Sequence, residues 1–231
     1  LLLAAYQLWL RQLAGADDFV VGTPTLGRHA SRHRRLVGYL ANPIPVRARF
    51  VSGLTFATHV AAVKAQLDAS MRRQRYPLAR LLDELAPPRR ADRAPLFQHF
   101  FTYSQARHDW GGAVELEALH LGMRGAAHEL ILTVFEDGER LRCQIGYNDA
   151  LYQRATAQAW LRGYADVLAA AVREPHAALE SITWTDAAPH EAGAAIDCGA
   201  LHAIARVDAV PDARVALRIG DLAVDYATLR A

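Results

Sequence analysis

Apolar residues recur every three or four positions in several stretches of the chain, which is the period of a helix with one buried face. The opening stretch places Leu2, Tyr6, Trp9 and Leu13 on one such face. Thr55 is a candidate N-cap for a second helix, residues 153–173 predict a third, and a short helix is predicted over residues 78–85. The apolar positions of the two long internal helices are Phe56, Val60, Val63, Leu67 and Met71, and then Trp160, Tyr164, Val167, Leu168 and Ala171.

Between the helices lie short runs that read as strands. Residues 19–23 and 96–104 are rich in β-branched and aromatic residues. Residues 42–50 predict an edge strand, because Pro43 and Pro45 have no amide hydrogen to give to a neighbouring strand. In LILTVFEDGERLRCQIGYN, Asp137-Gly138 predicts a hairpin turn, and the apolar residues of its second strand alternate: Leu141, Cys143, Ile145 and Tyr147. Strands and helices mixed in this way predict an α/β (α+β layered) fold, a mixed sheet with helices packed on it.

The two ends of the sequence suggest an internal piece of a longer protein. LLLAAYQLWLRQLAG opens with neither a methionine nor a helix cap, and LAVDYATLRA stops where a helix is predicted to begin. AAPHEAGAAIDCG, residues 187–199, has the composition of a linker. Beyond it, VALRIGDLAVDYATL predicts a terminal hairpin with its turn near Gly220-Asp221. We therefore expect one domain over 1–186, a linker over 187–200 and a separate segment over 201–231.

Composition narrows the class of protein. The 231 residues are 52% hydrophobic and 22% charged, as in soluble globular proteins, and no apolar run is long enough for a membrane span. With two cysteines, a disulfide framework or structural zinc site is not expected, and a cytoplasmic location is the default. Residues 1–107 carry 16 lysines and arginines against 6 acidic residues, whereas 108–231 carry 10 against 18. The basic clusters lack the interleaved aromatics of a nucleic-acid site, so they predict solvated faces or an acidic protein partner.

Common catalytic signatures are missing from the sequence. It contains no GxSxG elbow, phosphate loop, HExxH or cysteine cluster. His128 and Glu129 are adjacent in a predicted strand, so they point to opposite faces and cannot act as a pair. We expect His128 to be a half-exposed surface residue, His99 to pack between strands, and Cys143 to be a small buried apolar residue.

Four stretches resemble, in order, motifs of the condensation domains of nonribosomal peptide synthetases. GTPTLGR (22–28) is similar to GTPxxGR, and VGYLANPIPVR (37–47) is similar to IGxFVNTxxxR. RQRYPLARLLDEL (73–85) resembles HQDxPFExLVEEL, and RRADRAPLFQHFF (89–101) resembles RDxSRNPLFQVMF. The resemblance covers about residues 1–185 and continues through GYNDALYQRATAQAW. It departs from the motifs at Pro43, at Leu78-Ala79 and at Ala94.

The resemblance implies the C-terminal lobe of a two-lobed, chloramphenicol-acetyltransferase-like fold. It implies that the intact domain joins a carrier-bound acyl or peptidyl thioester to a carrier-bound aminoacyl amine, with the partners' phosphopantetheine arms as the only cofactor and none bound directly. The substrate-channel candidates are Gly38, Asn42 and Arg47. The family's HHxxxDG motif is absent from this sequence, so the chain holds no catalytic residue and is predicted to be inactive without its N-terminal lobe. From the residues alone, Asn42 is either a polar group at a cavity rim or part of an ordinary loop entering a strand.

The last residues, PDARVALRIGDLAVDYATLRA (211–231), resemble the opening of an adenylation domain, whose ATP and magnesium sites lie outside this chain. The implied partners are carrier domains, the N-terminal lobe and the rest of the adenylation domain, with no nucleic acid and no membrane. Three alternatives stay open: an epimerization domain, a stand-alone acyltransferase of the same superfamily, and a non-catalytic recruitment domain of the same fold.

Overall fold

The computed structural model describes residues 1–28, 30–88, 90, 93–105, 128–137, 140–184, 215–219 and 222–225. Its helices are α1 (Leu2–Ala14), α2 (Phe56–Arg72), α3 (Leu78–Leu85) and α4 (Arg154–Arg173). Its strands are β1 (Asp18–Thr25), β2 (Asn42–Arg49), β3 (His99–Gln105), β4 (Leu130–Asp137), β5 (Arg140–Tyr147), β6 (Val215–Ile219) and β7 (Leu222–Asp225). The predicted elements that fall on described residues are therefore present, and most begin and end within a few residues of the predicted bounds. The helix predicted to begin at the C-terminal end lies outside the described residues.

Five strands form one mixed sheet in the order β2-β1-β3-β4-β5. The β1/β2 and β4/β5 pairs are antiparallel, whereas β1/β3 and β3/β4 are parallel. The strand that begins at Asn42 lies at the edge of the sheet, as Pro43 and Pro45 require. The predicted mixed sheet is confirmed.

Helices α1, α2 and α4 bury one face of this sheet, which we call the core face. Alternate residues of the strands point to it, among them Val21, Val46 and Phe101. Helix α1 is buried almost all round: residues 3–10 are each at most 7% exposed. Its apolar stripe predicted burial of one side only; the remaining sides are covered because α1 also contacts α2 and α4.

The ends of the helices follow from local chemistry. Thr55 caps α2 as predicted: its hydroxyl accepts from the amide of Thr58, and the Thr58 hydroxyl accepts from the amide of Thr55. Gly15 ends α1 in the left-handed conformation, with φ of 63°. Along α4, Gly163 is contacted by the ring of Trp184 so closely that an added Cβ would lie 2.3 Å from it.

The alternation predicted for β5 holds for three of its four apolar residues. Cys143, Ile145 and Tyr147 pack against the core, whereas Leu141 is 51% exposed. Leu141 lies near the end of the sheet, opposite Glu136 in the strand register. Gly138 of the predicted turn lies outside the described residues.

The chain divides into two units. The first, residues 1–88 and 93–190, holds the five-stranded sheet and its helices. The second, residues 89–92 and 191–231, contains β6 and β7, which pair antiparallel as a separate two-stranded sheet. Gly220 and Asp221, where the turn of this hairpin was predicted, lie outside the described residues, as does the whole of the predicted linker over 187–200. None of the described helices has the length and apolar character needed to cross a membrane.

Candidate functional site

The turn that follows β1 and the loop that precedes β2 meet backbone to backbone at Gly27. Gly27 has φ of 65°, and a Cβ built on it would lie 1.7 Å from the carbonyl oxygen of Leu40. No other residue type fits there without moving the loop. The Arg28 guanidinium adds a second tie, because it donates to the Leu36 carbonyl oxygen at 3.2 Å. GTPTLGR and VGYLANPIPVR therefore form one structural unit.

Asn42 joins a third stretch to this unit. Its amide nitrogen donates to the carbonyl oxygens of Gln74 and Tyr76, both at 2.9 Å. Its side-chain oxygen accepts from the backbone N–H of Leu78 at 3.2 Å. We call this arrangement the Asn42 clasp. It fastens the loop between α2 and α3 to the start of β2, and it uses every hydrogen of the Asn42 amide.

The backbone of Asn42 is held as well. The hydroxyl of Thr25, which is 4% exposed, donates to the Asn42 carbonyl oxygen at 2.9 Å. Since Thr25 and Asn42 are also opposite one another in the β1/β2 register, the position of the clasp is set by the sheet. The sequence patterns pointed to Asn42 but not to Thr25 or to the carbonyl groups of the loop between α2 and α3. The signal for them in the sequence was that the motifs containing these residues follow one another along the chain.

A largely apolar cavity of about 250 Å³ lies beside the clasp, between β2, α2 and α3. Pro43, Pro45 and Leu81 contribute to its wall. The hydroxyl of Ser70 donates to the Pro45 carbonyl oxygen at 2.8 Å and fixes α2 to the strand there. The prolines thus stiffen a strand whose outer edge lines a cavity.

The loop that carries Gly38 is exposed. Gly38 has φ of 148°, which favours glycine, and a Cβ there would meet nothing within 4 Å. Val37 and Tyr39, on either side, are almost fully exposed. Leu26 and Leu36, on the two segments that meet at Gly27, are exposed as well.

Arg47 lies apart from the other two candidates. It is five residues beyond Asn42 on β2, a distance of about 16 Å along a strand, and it pairs with Asp18 on β1. The pair is bidentate, with N···O distances of 2.7 and 2.6 Å. These hydrogen bonds hold the pKa of the Asp18 carboxyl below its usual value. Both side chains are about half exposed, so the pair contributes little stability.

The fourth stretch, which includes PLFQHFF, packs on the first through aromatic rings. A Cβ on Gly22 would lie 2.5 Å from Phe97 and 2.6 Å from Phe100. His128 stacks on Phe100 with ring centroids 4.7 Å apart and an angle of 5° between the planes. His128 is therefore half-buried against aromatic rings, and burial lowers its pKa.

His99 and Cys143 take packing positions. His99 pairs with Val21 and Leu130 in the strand register, and burial, reinforced by His128, lowers its pKa to about 4. Burial raises the pKa of the Cys143 thiol. Neither group is poised for nucleophilic or acid–base chemistry at neutral pH, and the described part of the chain gathers no set of three potential metal ligands.

Comparison with known proteins gives one consistent picture. A family model described as "Condensation domain" matches residues 1–192. Surfactin synthase subunit 1 of Bacillus subtilis (strain 168) is 29% identical over 184 residues, 79% of this chain but 5% of that protein. The condensation domain of the monacolin K polyketide synthase MokA is 26% identical, with a TM-score of 0.66 over 77% of this chain and 42% of that one.

A four-domain nonribosomal peptide synthetase, solved with AMP and glycine bound, matches with a TM-score of 0.70 at 20% identity. That match covers 99% of this chain and 19% of the synthetase. The chain thus spans a small part of the curated relatives that it matches and less than half of the solved condensation domains. The structural neighbours confirm the predicted acetyltransferase-like, layered fold class.

Proposed function

Since this chain belongs to the condensation-domain family, we propose that the domain to which it contributes forms amide bonds in a nonribosomal peptide synthetase. The amine of a carrier-bound aminoacyl group attacks the carbonyl carbon of a second carrier's acyl thioester. The C–N bond forms, the C–S bond breaks, the amine loses one proton, and the upstream carrier's thiol is released. The match of the family model to residues 1–192 carries this proposal.

Residues 1–186 are proposed to be the C-terminal lobe of that domain. The support is the order of the four motifs together with the length of the chain, which spans 42% of a solved condensation domain. The sequence contains no HHxxxDG, so the histidine of that motif would come from the other lobe. Such a domain would lower the activation barrier mainly by holding two tethered substrates together. Because that requires both walls of the channel, the chain alone is expected to be inactive.

Residues 201–231 are proposed to begin an adenylation domain, joined to the lobe by a linker over 187–200. The β6/β7 hairpin, separate from the five-stranded sheet, is compatible with that boundary. ATP and magnesium would serve that next domain. The partners proposed for the lobe are carrier domains that present substrates on phosphopantetheine arms. The proposed location is the cytoplasm.

Gly38, Asn42 and Arg47 are proposed to belong to the channel wall in different ways. Because the clasp uses both N–H groups of the Asn42 amide, Asn42 acts as a positioning residue that holds the loop at residues 74–78. Gly38 keeps the exposed apolar loop in a conformation that other residues resist. Arg47, paired with Asp18, ties the two strands behind the wall.

The proposal is tested with the intact synthetase module. Both carriers are loaded, and the downstream carrier is analysed by intact-protein mass spectrometry. We expect an aminoacyl carrier extended by the upstream acyl group, and no such product when residues 1–231 replace the whole domain. A module that leaves both loaded carriers unchanged refutes amide formation; exchange of an α-deuterium without chain extension would instead indicate the epimerization alternative.

A further inference from the structure

Another cavity lies at the amino ends of the parallel strands β1 and β3, beside the C-terminal end of α1. Its volume is about 270 Å³. Leu10 and Ala14 of α1, Phe19 and Val20 of β1, and His99 of β3 contribute to its wall. We call it the α1 cavity.

The strand pairing explains why there is space at this point. Strands β1 and β3 pair only at Val21–His99 and Gly22–Phe100, although β1 begins three residues before Val21. The start of β1 and the segment that leads into β3 therefore separate, and the α1 cavity lies between them. The Asn42 clasp is at the other end of β1, about 17 Å from Val20 along the strand, so the two sites are distinct.

A strained turn forms part of the wall. The N–H of Phe97 donates to the carbonyl oxygen of Pro95 at 2.9 Å, across Leu96, which has φ of 71°. A γ-turn with positive φ is rare and strained. Leu96 lines the cavity, and it is held in place because Phe97 is only 2% exposed. Strained residues of this kind cluster at sites that bind ligands.

His99 supplies the cavity with a polar group. Its Nδ1 is buried and has no hydrogen-bond partner among the residues that the structure describes. Burial, reinforced by His128, lowers the pKa of His99 to about 4, so the ring is neutral near pH 7. One nitrogen of a neutral imidazole donates and the other accepts, whereas a hydroxyl group does both. A hydroxyl therefore complements Nδ1 in either tautomer.

The rest of the wall favours a small, uncharged ligand. The described residues that line the cavity include no acidic residue, lysine or arginine. Helix α1 ends here, and the partial negative charge of a helix C-terminus disfavours anions. The volume is below the roughly 300–1,000 Å³ of pockets for drug-sized ligands. Phe19 offers an aromatic ring, so a ligand with one ring and one hydroxyl group suits the cavity.

We propose that the α1 cavity binds a small neutral hydroxyl compound, a phenol in particular. Its hydroxyl group bonds Nδ1 of His99, and its apolar part packs against Leu10, Phe19 and Val20. Loose packing alone would leave a cavity with apolar walls throughout, whereas this one combines an unpaired polar atom with a strained turn. The site lies outside the amide-forming function proposed above, and no covalent bond changes in it.

The test measures binding of p-cresol to the intact module by ligand-observed NMR titration, with toluene as the same molecule without the hydroxyl. We expect saturable binding of p-cresol to the parent. In His99→Leu the ratio of the toluene Kd to the p-cresol Kd should fall at least fivefold, because the hydrogen bond is lost. Ala14→Leu fills the cavity from an exposed helix end and should weaken p-cresol binding at least tenfold. Ala79→Leu, at an exposed position on α3, is the matched control and should stay within about twofold of the parent.

Two results would overturn the site itself: no saturable binding of p-cresol to the parent, or binding that neither His99→Leu nor Ala14→Leu changes. Weaker binding in Ala14→Leu with an unchanged Kd ratio in His99→Leu would refute the hydrogen bond to His99. If one substitution lowers the thermal midpoint by several degrees, the other decides, since they alter different elements. Condensation is not measured, so a module that binds p-cresol without forming amides would refute only the proposed function.

Discussion

Removing the amide of Asn42 tests whether the clasp holds the site together. Asn42→Ala deletes two hydrogen bonds to the carbonyls of Gln74 and Tyr76 and one from the N–H of Leu78. Each such bond contributes about 0.5–1.5 kcal/mol net. Because the loop is partly exposed and water can replace some of the lost partners, we expect a total loss of about 2 kcal/mol in the free energy of unfolding.

The expected loss corresponds to a thermal midpoint lower by about 4 °C or more, at roughly 2–4 °C per kcal/mol for a unit of 150–250 residues. Asn42→Asp keeps the acceptor for Leu78 but turns an oxygen toward two carbonyl oxygens, so it should destabilise at least as much. Gln74→Ala is the matched control, since the clasp uses only the backbone of Gln74. Calorimetry gives the midpoints, and the condensation rate is measured per folded molecule. If the thermal midpoint of Asn42→Ala stays within about 1 °C of the parent while condensation is slowed, the clasp does not stabilise the fold. The Asn42 amide would then contact the substrate directly.

Two further perturbations follow from the packing around the site and in the core. Gly27→Ala should lower the free energy of unfolding by at least about 2 kcal/mol, since a left-handed alanine is strained and its Cβ would meet the Leu40 carbonyl oxygen. Gly15→Ala is the control for backbone strain alone, because Gly15 has φ of 63° and open space around it. Equal losses of stability in urea titrations of the two variants would contradict the close approach at Gly27. His59 lies against Phe50, and burial lowers its pKa from 6.5 to about 4. Below pH 6.5 the unfolded chain therefore takes up this proton before the folded protein does. The free energy of unfolding falls as the pH drops toward 4, by about 3 kcal/mol for this residue. His59→Leu should flatten that decline between pH 7 and 4.5 relative to His176→Gln at an exposed position, and an unchanged slope would count against it.

Local patterns were enough to predict most elements. The structure has α3 over the predicted residues 78–85 and α2 beginning after the predicted cap at Thr55. The edge position of β2 also followed from the sequence, because a proline's missing amide hydrogen is a property of the residue wherever it lies. Helix α1 shows the limit of such patterns. Periodicity indicates which side of a helix is most apolar, but it does not indicate that neighbouring helices cover the other sides as well.

The candidate site also combines features that local patterns predict with contacts that they do not predict. Four motifs in order along the chain were enough to indicate the family, and they directed attention to Gly38, Asn42 and Arg47. The contacts of those residues became known from the fold: Asn42 forms hydrogen bonds with a loop 32–36 residues away, and Arg47 pairs with Asp18, 29 residues earlier in the chain. Hydrogen bonds and strand register depend on which atoms folding brings within about 3 Å, and sequence separation does not determine that distance.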